Sequence, residues 1–290
     1  MSCEGEKPIV ETRRMESMKR AFVRPLKKSL RFLLPFLSVL LLLLTATVGA
    51  ATYDEFNGAS IDTTRWTVNG TGFSQSAGDG YLHFSAVGSA PQGMVSTALY
   101  TSGVFTMPFS DYLCNNDAPS AQGLGSIAGL GLGTRSGNNW VRIERGQVHG
   151  GGYIEVNWVN PNEAGNPIHV NWLPSSITSG IFQLVYNGTD VSFFHRTDPS
   201  HPWTQVVKTD LNGQPVLVNG QTQPLVISPG WGSGVPMFVS ALTGGNPSDQ
   251  YGLSFKVDYV DVTAVPEPFC VLLLAVGLTG LVAARGRSKV

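Results

Sequence analysis

The chain has 290 residues, 13% of them charged and 42% hydrophobic, with 34 Gly and 18 Pro. That is too apolar for a disordered chain and too poor in charge for a coiled coil, so it must bury a core. The formal net charge of -1 averages three unlike regions: residues 1–50 carry nine Lys/Arg and four acids, residues 265–290 carry three and one, and the middle carries seven and fifteen, a net of -8. An acidic body without a Lys/Arg cluster cannot neutralise a row of phosphates, which argues against nucleic acid as a partner.

The first predicted element is a secretory signal peptide over residues 1–50. Arg20, Arg24, Lys27, Lys28 and Arg31 precede the apolar run FLLPFLSVLLLLLTATVGA, which ends on the small residues Val48-Gly49-Ala50. That order of charge, apolar run and small residues predicts cleavage by signal peptidase between Ala50 and Ala51. Residues before Met18 add nothing to this design, so translation is expected to start at Met15 or Met18. An uncleaved anchor is the competing expectation, since the apolar run is long.

Residues 51–264 are predicted to form one β-sandwich domain. No apolar spacing of three and four persists there, whereas short alternating runs bounded by Gly, Asn, Pro and Ser recur. Strands are expected at Tyr81–Ala86, Val104–Met107, Ile127–Leu132, Trp140–Arg145, Tyr153–Val159, Ile181–Tyr186, Val191–Arg196, Val235–Ser240 and Leu253–Val262, with Asn187-Gly188 as a tight turn. The one cysteine in this region, Cys114, has no partner for an intradomain disulfide and reads as a buried apolar residue.

Two of these strands suggest a site. Burying Val141 opposite Val156 and Ile143 opposite Ile154 would place Trp140 opposite Asn157, Arg142 opposite Glu155 and Glu144 opposite Tyr153, all on the other face. Left open, that face would offer aromatic platforms for a sugar ring and Arg, Glu and Asn for its hydroxyls. The competing expectation is an exposed Arg142–Glu155 ion pair beside a half-covered Trp140. The five histidines share no ligand spacing, which argues against zinc. If the first and last strands pair, Asp54, Glu55, Asp258 and Asp261 could together hold a structural calcium ion; otherwise they are solvated acids.

Three segments resemble concanavalin A-like jelly rolls of the lectin and glucanase type. They are Asp54-Glu55-Phe56-Asn57-Gly58 with Arg65-Trp66, the stretch from Phe182 through Phe193-Phe194 to Trp203, and Phe255 to Val262. The resemblance implies an all-β, two-sheet antiparallel sandwich whose last strand returns beside the first. Retaining glucanases of that fold carry a Glu-x-Asp-x-x-Glu strand. The nearest match here, Glu155-Val156-Asn157-Trp158-Val159-Asn160, has Asn in place of both later acids, and an amide cannot serve as nucleophile or proton donor. Glu144 is the alternative partner for Glu155, as a diagonal neighbour roughly 7 to 8 Å away.

The last element is Val265-Pro266-Glu267-Pro268, then FCVLLLAVGLTGLVAA, then Arg285, Arg287 and Lys289. It predicts a single apolar helix with a basic cytoplasmic tip. These residues resemble the PEP-CTERM sorting signal, although the tip Arg-Gly-Arg-Ser-Lys interrupts the usual Arg run. The resemblance implies export, transient membrane insertion and processing by an exosortase at Pro-Glu-Pro, in bacteria that make exopolysaccharide and biofilm matrix. Together these features predict a surface or matrix protein that binds polysaccharide or another matrix glycan without catalysis. The alternatives are a divergent glycoside hydrolase using Glu144 and Glu155, or a purely structural or adhesive protein.

Overall fold

The computed structural model describes residues 51–87, 91–114, 126–134, 139–148, 151–159, 165, 167–242 and 252–263. All belong to one compact unit, Ala50–Val265. The signal peptide, its cleavage site and the sorting signal lie wholly or partly outside the described residues; among those residues no helix is long and apolar enough to cross a membrane.

The described elements are strands, in chain order β1 (Ala51–Asp54), β2 (Trp66–Asn69), β3 (Phe73–Gln75), β4 (Leu82–Val87), β5 (Pro91–Tyr100), β6 (Gly103–Cys114), β7 (Ser126–Thr134), β8 (Asn139–Val148), β9 (Gly151–Val159), β10 (Ile168–Pro174), β11 (Gly180–Tyr186) and β12 (Val191–Arg196). Then come β13 (Thr204–Gln205), β14 (Leu217–Val218), β15 (Gln221–Thr222), β16 (Val226–Ile227), β17 (Val235–Leu242), β18 (Gly252–Val257) and β19 (Val260–Thr263). A ten-stranded sheet contains the path β13-β12-β11-β6-β18-β4-β3, with β1, β16 and β19 alongside. A seven-stranded sheet runs β10-β9-β8-β7-β17-β5-β2, and β14 and β15 form a small ribbon.

Alternation places the core between the two sheets. The seven-stranded sheet sends in Leu130, Leu132, Val141, Ile143, Val156, Met237 and Val239; the ten-stranded sheet sends in Phe105, Met107, Phe182, Leu184, Phe193 and Phe255. Burying a side chain of this size contributes roughly 1.5–3 kcal/mol, so this layer holds the sheets together. The result is an all-β antiparallel sandwich of jelly-roll type, as the sequence predicts.

The first and last strands do pair, Thr52 opposite Asp261 and Asp54 opposite Val260. The expected strand Leu253–Val262 is divided, because Asp258 and Tyr259 interrupt it between β18 and β19. The Asn187-Gly188 turn is shifted by one residue. Asn187 N–H donates to the Asp190 carbonyl at 3.1 Å, which leaves Gly188, with φ +100°, and Thr189 at the tip.

Candidate functional site

The outer face of the seven-stranded sheet carries the six predicted residues, and parity alone puts them there. Trp140, Arg142 and Glu144 on β8 share that face with Tyr153, Glu155 and Asn157 on β9. Their pairing differs from the expected one by two residues: Trp140 faces Val159, Arg142 faces Asn157, Glu144 faces Glu155, and Gly146 faces Tyr153. The strands extend further toward the turn than the apolar pattern suggests, to Val148 opposite Gly151, and only two residues remain between them. Connection length fixed the register; a shift of two keeps every side chain on its face.

The expectation of an open aromatic platform is corrected. Trp140 is 5% exposed, Tyr153 8%, Arg142 4% and Glu144 0%. Neighbouring β7 explains part of this burial, because its outward positions are Gly129, Gly131 and Gly133. A Cβ at Gly131 would lie 2.2 Å from Phe238 Cζ, and one at Gly129 would lie 3.1 Å from Arg142 Cδ. With no side chain at these outward positions of β7, the Phe238 ring and the Arg142 stem lie down across the strand. Trp140, Val159 and Phe238 then close into a small apolar cluster with Val95 against it.

The expected exposed Arg142–Glu155 pair is likewise replaced by a buried one along β8, Arg142 Nε to Glu144 Oε2. Asn157 Nδ2 donates to the other Glu144 oxygen at 2.9 Å. The Arg142 guanidinium also lies 5.2 Å from the Trp140 ring centre. Glu144 is thus neutralised and hydrogen-bonded inside the protein.

Glu155 is half-buried directly opposite. Burial raises its carboxyl above the ordinary value of 4.5, against the Asn157 hydrogen bond and the Arg142 charge, which pull it down. Burial also raises the Tyr153 phenol, helped by the negative charges of Glu144 and Glu155. Between the ordinary and the raised Glu155 value the folded chain holds more protons than the unfolded one, so stability falls as pH rises through that window. Urea unfolding measured from about pH 4 to 8 is expected to show this slope in wild type and lose it in Glu155→Gln; parallel profiles would contradict it.

A cleft of about 480 Å³ opens on the same face, toward the other edge of the sheet. It is lined by Asn69, Pro91, Gln92, Gly93, Val95, Gly133, Thr134, Phe238 and Ser240, none of them charged. Register ties it to the acids: Asn69, Gly93, Ser240, Gly129, Glu144 and Glu155 form one row across successive strands. At ~4.8 Å per strand, Ser240 lies about 10 Å from Glu144. The sequence pattern places Val235–Ser240 in a strand but gives no sign that Phe238 and Ser240 would line a cleft, since that depends on bare glycines on its neighbours.

Of the four predicted calcium donors, Glu55, Asp258 and Asp261 line one cleft, and Asp54 does not. Asp54 turns inward, where Oδ2 accepts from Trp66 Nε1 at 2.7 Å and Oδ1 accepts from Phe56 N–H at 2.9 Å. The cleft, of about 450 Å³, is also lined by Asp79, but Asp79 is paired with His83. Among the described residues no three His, Cys, Asp or Glu side chains converge as a metal site. The expected donor set therefore does not fit the ion.

No family model and no curated protein matches the chain. Solved structures with a similar chain path include proteins named as glucanases. LamAcat from Zobellia galactanivorans is 15% identical, with 72% of this chain and 95% of that one covered at a TM-score of 0.47. The Bacillus licheniformis β-glucanase is 11% identical, with 76% and 100% covered at 0.44. An immunostimulatory antigen and pseudo β-1,3-glucanase of Mycobacterium tuberculosis is 16% identical, with 73% and 98% covered at 0.45. None of the three lends this chain its chemistry.

Proposed function

We propose that this is an exported β-sandwich that binds carbohydrate on the outer face of its seven-stranded sheet and does not cleave it. The observation that carries this reading is the separation of cleft from acids. None of the described residues that line the open cleft is charged, and the nearest carboxylate in its row, Glu144, is held by Arg142 and Asn157. A glycosidase needs two carboxyl groups flanking the scissile bond, one of them able to donate a proton. Binding needs only polar groups beside an apolar wall.

The sorting elements supply the destination in this proposal. Signal peptidase releases the chain after Ala50. Residues Val265 to Pro268, with Arg285 and Arg287 beyond the apolar run, hold it transiently in the membrane until an exosortase acts. The mature chain then serves at the cell surface or in the extracellular matrix. Chain recovered from its native host, with its termini read by mass spectrometry, is expected to begin near Ala51, to lack Val290, and to be retained by at least one polysaccharide of a broad panel. An intact C-terminus would remove the destination, and retention by no glycan would remove the binding role.

One observation favours hydrolysis instead. Glu144 and Glu155 face each other in register, where Cβ atoms stand roughly 4.5–5.5 Å apart, and the Glu155 carboxyl is raised.

A further inference from the structure

We infer that the cleft over Ser240 is a subsite for a neutral sugar, excluding uronates and sulfated glycans. This rests on the carbohydrate-binding reading and names the site and ligand class within it. Ser240 is 2% exposed and its hydroxyl has no hydrogen-bond partner among the described residues. The reason lies in the register, since the residues beside it on the two neighbouring strands are Gly93 and Gly129, which offer no side chain. A buried hydroxyl without a partner costs free energy, and because Ser240 is one of the residues lining the cleft, rotation about its Cα–Cβ bond would present the hydroxyl to a ligand.

The rest of the lining sets the class of ligand. Asn69 and Thr134 are exposed at the rim and supply an amide and a hydroxyl. Phe238 and Val95 form an apolar wall against which the C–H face of a pyranose can lie. Among the described residues that line the cleft there is no lysine or arginine to compensate a carboxylate or sulfate, and desolvating an unpaired anion there would be strongly unfavourable. At about 480 Å³ the space falls within the roughly 300–1,000 Å³ of small-ligand sites.

The test uses the full chain and two sets of hexasaccharides, neutral ones built from glucose, mannose or galactose and acidic ones built from uronates, titrated by calorimetry. Wild type is expected to bind a neutral hexasaccharide at least tenfold more tightly than any acidic one. Ser240→Leu, which replaces the hydroxyl with a larger apolar side chain at the cleft, is expected to weaken that binding at least tenfold. The double variant Asn69→Ala/Thr134→Ala alters only exposed rim positions, so it keeps the fold, and is expected to weaken binding at least threefold. Tighter binding of an acidic hexasaccharide, or wild-type affinity in both variants, would overturn the inference and leave carbohydrate binding standing. Binding of neither set would overturn both.

Discussion

Glu144→Ala is expected to lower the unfolding free energy by about 3–5 kcal/mol, the usual consequence of removing one partner of a buried ion pair. The Arg142 guanidinium would stay 4% exposed, beside the Trp140 ring, without its carboxylate. Asn157 would lose an acceptor as well. Replacing both partners with apolar residues of similar size, Arg142→Met with Glu144→Leu, is expected to recover most of the loss, because no buried charge is then left alone. Urea denaturation checks this through the midpoint at constant slope. A Glu144→Ala chain as stable as wild type would mean that the pair does not hold this face together.

Gly131→Val is expected to cost about 3 kcal/mol or more, at or beyond the upper end for overpacking a filled site. The first added carbon would meet Phe238 Cζ at 2.2 Å and the Val141 carbonyl at 2.7 Å. The ring can rotate away, but the carbonyl belongs to the strand paired with β7 and cannot. Removing the ring in a Gly131→Val/Phe238→Ala chain is therefore expected to recover part of the loss and leave the backbone part, a non-additive result in a thermal-unfolding cycle. Full additivity would show that ring and glycine do not touch. The same displacement would remove the apolar wall of the cleft, so Gly131→Val chains that fold are expected to bind glycan poorly.

Strand positions were legible because alternation is a local signal. Val141, Ile143 and Val156 declare one face, and the six polar and aromatic candidates then fall on the other whatever the register. The register was not legible, because it depends on how far β8 and β9 continue toward their turn. The short elements were missed for a similar reason. Asn219-Gly220 is a two-residue tip with φ of +53° and +77°, but the flanking strands β14 and β15 have two residues each and show no periodicity. Burial of Trp140 and Arg142 was the largest departure. It follows from the bare glycines of β7 and from Phe238 on β17, nearly a hundred residues away, and no pattern within β8 encodes it. Asp54 misled in the same way, since an acid near a strand end resembles a metal donor until Trp66 is seen to occupy it.

Product analysis on a retained glycan tests the central claim most directly. The full chain, incubated for many hours with a polysaccharide that it binds, is predicted to leave chain length and reducing-end content unchanged. Release of reducing ends by wild type, lost in a folded Glu155→Gln chain, would contradict the account and make Glu144 and Glu155 a catalytic pair.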